Sequence, residues 1–133
     1  MTDDEALHQN VEDELRLADS ALQAADALLG LGIVPDAASR AYYAAFHAAR
    51  ALLFSIGIEP RSHAGLRTML SRHFVRTGKL AAERAKDLAQ LEGLRAAGDY
   101  DSAFALGVDD VRPDVERARR FVADARRVCR GVS

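Results

Sequence analysis

From position 7 to position 29 the apolar residues Leu7, Val11, Leu15, Ala18, Leu22, Ala25 and Leu29 recur in steps of three and four. That spacing lays one stripe along an α-helix. It predicts a first helix over about 4–29, capped by Thr2 or Asp3 and stopped by Gly30 and Gly32. A second helix follows Pro35 and runs from about 36 to Ile56, where Gly57 ends it. Ala38, Ala41, Ala45, Ala48, Ala49, Leu52 and Ile56 cover one broad face, and Phe46, Leu53 and Phe54 place apolar groups around the rest of the cylinder. A helix apolar on most sides belongs at the centre of its fold. Ser62 predicts the cap of a third helix over about 63–76, with Leu66, Met69, Leu70 and Phe74 inward and Thr77-Gly78 as its break. A fourth helix, about 80–97, carries Leu80, Leu88, Leu91 and Leu94, and Gly98 introduces an irregular stretch, DYDSAFALGVDD. The last helix begins near Asp110–Pro113 and reaches Arg130, with Val111, Val115, Ala118, Val122, Ala125 and Cys129 on one face. No segment alternates as a half-buried strand does. The pattern predicts an all-α fold, a single up-and-down helical bundle of about five helices in one domain spanning 1–133.

Composition supports a core of ordinary size, since the 133 residues are 49% hydrophobic and 29% charged. The lone cysteine, Cys129, has no partner for an intrachain disulfide. The first thirty residues lack a signal-peptide pattern, and no stretch approaches the roughly 20 apolar residues that span a bilayer. A soluble, cytoplasmic protein without a membrane contact is therefore expected. Net charge is −2, but it is spread unevenly: residues 1–30 hold eight acids and one base, whereas residues 60–86 hold seven bases and one acid. Two readings of that asymmetry stand. The basic run is a field that attracts phosphate, or helices of opposite charge lie side by side in the bundle.

Conventional catalytic signatures are absent: no phosphate-binding Gly-rich loop, no Cys-x-x-Cys, no His-Glu-x-x-His and no Gly-x-Ser-x-Gly. The four histidines, His8, His47, His63 and His73, make no helical pair with one another, so neither a metal nor a cofactor is expected. Chemistry concentrates instead in SRAYYAAFHAAR, residues 39–50, where Arg40, Tyr43, His47 and Arg50 step by three, four and three along one helix face. Tyr42 and Phe46 begin the neighbouring face. These groups either bond to acids on the first or fourth helix and knit the bundle, or they form a polar seam opening on a cleft or a dimer interface. A second constellation is LRAAGDYD, residues 94–101, with Arg95 and Asp99 four apart and Tyr100 following. On spacing alone this is a helix-terminal ion pair.

Taken in order, SRAYYAAFHAARALL, the Ser62-His63-x-Gly65-Leu66 turn, FVRTGKL at 74–80 and LRAAGDYD at 94–101 resemble the HEPN domain. The likeness is strongest to the small stand-alone bacterial and archaeal HEPN proteins, and it covers about residues 10–130. It implies an up-and-down bundle, homodimers and a polar cleft between subunits. Many such proteins are metal-independent ribonucleases. Some are toxins neutralised by a minimal nucleotidyltransferase (MNT) antitoxin, which in certain pairs adenylylates a tyrosine. Active members carry an arginine followed, after four to six residues, by a histidine, and these act on the RNA 2′-hydroxyl and the scissile phosphate.

Arg95 matches the motif arginine, but Tyr100 stands where Arg-x4-His would place the histidine, with Asp99 before it. A phenol with its ordinary pKa of about 10 is a poor base at neutral pH. His47, in Arg40-x6-His47, fits the same spacing on an earlier helix. The resemblance thus marks Arg95, Asp99, Tyr100 and His47 as catalytic candidates, and Arg40, Tyr43, Arg50 and His63 as candidates to hold RNA or nucleotide phosphate. It implies the toxin-like member of a HEPN–MNT pair, dimeric and binding RNA or nucleotide in its cleft. The alternative is a non-catalytic nucleotide- or protein-binding adaptor with a degenerate site. Whether the chain is an enzyme stays open at this point.

Overall fold

Thr2 starts the first helix by a reciprocal cap: its Oγ1 accepts the Glu5 N–H at 3.1 Å, and its own N–H donates to Glu5 Oε2 at 3.3 Å. The computed structural model describes residues 2–100 and 106–132, excepting the side chains at 4, 97–100 and 132. In chain order the helices are α1 (Asp3–Gly30), α2 (Val34–Phe54), α3 (His63–Leu70), α4 (Ala82–Tyr100) and α5 (Val108–Val132). A π-helical turn, Ser71–Val75, continues α3. No strand occurs among the described residues. The chain is an up-and-down helical bundle.

Connections are tight where glycine permits them. Gly32, Gly57 and Gly78 hold φ of +76°, +80° and +79° after α1, α2 and the π turn, the left-handed region that side chains with a Cβ rarely enter. Four boundaries differ from those the sequence predicts. α2 closes at Phe54, and Ile56 falls in the turn behind it. The third helix widens into the π turn instead of staying α to 76. α4 runs through Gly98 to Tyr100; one glycine costs a helix only about 1 kcal/mol, which its neighbours can outweigh. α5 begins at Val108, because Asp110 Oδ2 accepts the Gly107 N–H at 2.8 Å and so serves the helix start from within. Pro113 therefore lies inside α5, near its start, and removes one ladder hydrogen bond.

α2 is the central element, and the other four helices all pack on it. Ala37, Ala38, Ala41, Ala44, Ala45, Ala48, Ala49 and Ala51 are fully buried, and side chains this small let neighbouring backbones approach closely. Larger groups fill the spaces around them. Leu52, Leu53, Phe74 and Phe121 are shut off from solvent, each contributing roughly 1.5–3 kcal/mol by burial.

The charge asymmetry resolves into two arrangements. Acids of α1 meet bases of α5: Arg119 Nη2 donates to both oxygens of Asp26 at 2.8 and 2.9 Å, and Arg126 Nη2 to Asp19 Oδ2 at 2.7 Å. Within the basic run, Arg67 pairs with Glu92, and Arg84 with Asp87 and Asp124. Arg61, Arg72, Arg76, Lys79 and Lys86 are exposed. The basic run thus faces solvent and does not cover the acidic helix. No helix among the described residues is long and apolar enough to cross a membrane.

Candidate functional site

With its alanines turned into the bundle, α2 presents its larger groups along the opposite side. Arg40 is exposed, and Tyr43, Phe46, His47 and Arg50 are half-buried in a row below it. The three-four-three spacing produces that row.

The row is anchored from α1 by Glu14, which is only 8% exposed. Glu14 Oε2 lies 2.7 Å from His47 Nδ1, and Oε1 accepts the Arg50 Nε–H at 3.2 Å. Burial pushes the Glu14 carboxyl up, but the hydrogen bonds from His47 and Arg50, with their charges, outweigh it and hold the group below the usual value. An ionised carboxylate only accepts, so the proton of a neutral His47 resides on Nδ1 and Nε2 keeps its lone pair.

A second anchor lies on the aromatic flank. Tyr42, 1% exposed, puts its hydroxyl against His63 Nδ1 at the first turn of α3. Burial, reinforced by the Glu92 charge and opposed by Arg95, raises this phenol well above its ordinary value. Tyr42 is accordingly neutral; where its hydroxyl donates to His63 Nδ1, the ring proton of a neutral His63 sits on Nε2. The His63 ring stacks on Phe46 at 4.8 Å between centroids and 22° between planes. Ser62 Oγ accepts the Gly65 N–H at 2.9 Å. A methyl group at Gly65 would sit 3.0 Å from that oxygen, which accounts for the glycine in the Ser-His-x-Gly turn.

α4 contributes Arg95. Its Cζ lies 5.3 Å from the Tyr43 ring centroid and 5.7 Å from that of Tyr42. Arg40 Cζ lies 5.1 Å from the Tyr43 centroid, so one phenol ring serves two guanidiniums in cation–π contact. Arg50 rests on Phe54 at 5.0 Å. A cavity of about 160 Å³ opens beside the row, lined by Phe46, Arg50, Pro60, Arg61, Ser62 and His63.

Of the residues singled out in the sequence, Arg40, Tyr43, His47, Arg50, His63 and Arg95 therefore come together around one face of α2. The side chains of Asp99 and Tyr100 lie outside the described residues. Sequence reasoning missed Glu14, Arg61 and the anchoring role of Tyr42. Glu14 did carry a signal, for it stands three residues after Val11 and four before Ala18, on the edge of the apolar stripe where an acid needs a partner. Arg61 looked like one more base in a basic run.

Residues 11–132 match the HEPN domain family. The chain belongs to the HEPN family. Among its relatives, a UPF0332 protein of Pyrococcus horikoshii is 42% identical over 80 residues, covering 60% of this chain and 56% of that one. A UPF0332 protein of Gloeobacter violaceus is 35% identical over 112 residues, 84% of this chain and 89% of the relative. The Methanocaldococcus jannaschii protein named "Putative toxin MJ0605" is 32% identical over 119 residues, 90% of this chain and 83% of that one. In three dimensions the HEPN chain is similar to the crystal structure of TT1696 from Thermus thermophilus, with a TM-score of 0.75, 18% identity, and coverage of 89% of this chain and 97% of that one. That likeness concerns the fold alone.

Proposed function

We propose that this HEPN chain is the toxin-like member of a toxin–antitoxin pair, that its partner is an MNT-type nucleotidyltransferase, and that it takes the phosphate backbone of RNA along the outer face of α2. The observation that carries the reading is the convergence of Arg40, Arg50, Arg95, His47 and His63 on the Tyr43–Phe46 strip. Cations beside half-buried aromatic rings suit a single strand, whose phosphates meet the guanidiniums while its bases stack. The exposed bases of the 61–86 run extend that positive field. A homodimer whose subunits face each other across this strip is part of the proposal. The relative named as a toxin supports the pairing in general terms.

Binding is tested with labelled single-stranded RNA. Affinity falls steeply with added salt, and Arg95→Ala and Arg40→Ala each weaken it. Affinity indifferent to both substitutions removes the reading. The pairing is tested by co-expression with an MNT-type nucleotidyltransferase encoded beside this chain, followed by isolation of the complex and intact mass measurement for an added nucleotide.

A second reading, metal-independent cleavage, is favoured by the Glu14–His47 contact. A histidine whose Nδ1 proton is committed to a carboxylate keeps Nε2 as a base. In this reading His47 removes the proton of an RNA 2′-hydroxyl, and that oxygen attacks the adjacent phosphorus to form a 2′,3′-cyclic phosphate. The P–O5′ bond breaks and the departing 5′-oxygen takes a proton from water, while Arg95 stabilises the phosphoryl oxygens. Total tRNA incubated with the protein in chelator is cut by the parent and spared by Arg95→Ala and His47→Ala. Intact tRNA with the parent, shown by mass to be unmodified, leaves binding without cleavage.

A further inference from the structure

The cavity beside Arg50 has a one-sided chemistry. Each polar group on its wall offers a donor. Arg50 spends its Nε on Glu14 and keeps both terminal nitrogens. Arg61 is exposed and forms no ion pair with the described residues. Ser62 Oγ already accepts from Gly65, which leaves its hydroxyl proton to give. With the His63 Nδ1 accepting from the neutral Tyr42 hydroxyl, the ring offers Nε2–H. Among the described residues no carboxylate lines the space, and Phe46 and Pro60 supply its apolar side. A wall of donors with two guanidiniums complements a ligand that is anionic and only accepts. The volume decides the ligand's size. About 160 Å³ falls well short of the roughly 300 Å³ at which small-molecule clefts begin, which suits one functional group of a larger ligand.

We infer that this cavity is a phosphate subsite, holding one phosphate group of an RNA chain through Arg50, Arg61, Ser62 and His63. The inference rests on the RNA-binding reading only for the source of the phosphate; the cavity's own chemistry calls for the group whether it arrives free or esterified. Glu14 acts here as a positioning residue. By fixing Arg50 at Nε it aims the guanidinium without occupying the two nitrogens that a phosphate would use.

The first arm of the test uses inorganic phosphate, titrated into the protein at neutral pH against sodium chloride of matched ionic strength, with the His63 ring signals followed by NMR. A saturable shift of those signals is expected. Arg61→Gln weakens it by at least about tenfold, the worth of one charge-assisted hydrogen bond. Arg120→Gln, which removes an exposed base of α5 outside the cavity wall and outside the basic run, leaves it unchanged. No saturable shift, or the same shift in Arg61→Gln as in the parent, overturns the subsite.

The second arm names the source with a labelled RNA pentamer carrying either a 5′-phosphate or a 5′-hydroxyl. Tighter binding of the phosphorylated form, lost in Arg61→Gln, assigns the site to a chain end. Equal binding of both, weakened alike by Arg61→Gln, assigns it to an internal phosphodiester. If inorganic phosphate binds and neither RNA does, the RNA reading falls and the subsite stands. If RNA binds and Arg61→Gln changes neither titration, the subsite falls and the RNA reading stands.

Discussion

Glu14 and His47 stand 33 positions apart, yet Glu14 Oε2 and His47 Nδ1 meet at 2.7 Å across the α1–α2 contact. The same carboxylate holds Arg50, so one buried acid sets the proton position of an imidazole and the aim of a guanidinium together. Replacing it with glutamine separates the two effects. The amide oxygen goes on accepting from Arg50, but the amide nitrogen facing His47 can only donate. In Glu14→Gln the His47 proton therefore moves from Nδ1 to Nε2, which ¹⁵N shifts of the ring report directly. Stability falls by about 1–3 kcal/mol, the range for a lost hydrogen bond to a charged group. Unchanged ring shifts would show that Glu14 does not set the tautomer.

Two carboxyls give opposite slopes to stability against pH. Glu14 is held below its ordinary value of 4.5 in the fold, so its contribution is complete above about pH 4.5 and drains away as pH falls through the lower, folded value. Asp114 behaves in reverse. Burial raises it above its ordinary 3.8, with Arg117 opposing and Asp87 reinforcing; the fold holds this proton more tightly than the unfolded chain does. Stability attributable to Asp114 therefore declines as pH rises from 3.8 through the raised value. Urea midpoints measured from about pH 3 to 7 should lose the acid-side drop in Glu14→Gln. In Asp114→Asn they should lose the decline above pH 3.8. Parallel curves for parent and variants would refute the assignment.

The alanine face of α2 leaves no room for larger groups. Ala45 is fully buried, and Ala45→Leu forces helices apart at a cost of about 1–3 kcal/mol or more. The same change at exposed Ala82 stays within about 0.5 kcal/mol. Thermal unfolding of both variants checks the contrast.

Cys129 is chemically quiet in the folded chain. Burial, with Glu12 adding to it and Arg126 opposing, pushes its thiol up to about 11 from an ordinary 9.0. The thiolate fraction at about pH 8 is therefore about 100-fold lower than in the unfolded protein, and a disulfide reagent reacts at least that much more slowly until denaturant is added. Rapid labelling of the native protein would contradict the buried placement.

Much of this was open to reading from spacing. The stripes Leu7–Leu29 and Val111–Cys129 each point one face at the core, and the alanines of α2 announced a central helix. The cap at Ser62 and the glycine turns at 57 and 78 also lie where residue chemistry puts them. Boundaries were less legible, because packing carries α4 past Gly98 and a side chain inside α5 moves its start back to Val108. For the site, the row Arg40–Tyr43–His47–Arg50 follows from helix geometry. Its partners do not. Which of the α1 acids turns inward depends on how α1 rotates against α2, and the meeting of Arg61 with Arg50 depends on the path of the turn between α2 and α3. Neither is a local property of the chain.

The widened turn Ser71–Val75 also has a purpose in register. Leu66, Leu70 and Phe74 are all buried to within 1% of full although each is four residues beyond the last. In a plain α-helix every such step overshoots a full revolution by about 40°, so the third group would swing well off the line of the first. A turn closed by longer hydrogen bonds takes the overshoot back. The segment works as a phase correction on the step from Leu70 to Phe74, which lets Phe74 stay buried with the two leucines. A chain shortened by one residue there would regain regular hydrogen bonding and place Phe74 three steps from Leu70, about 60° short of alignment.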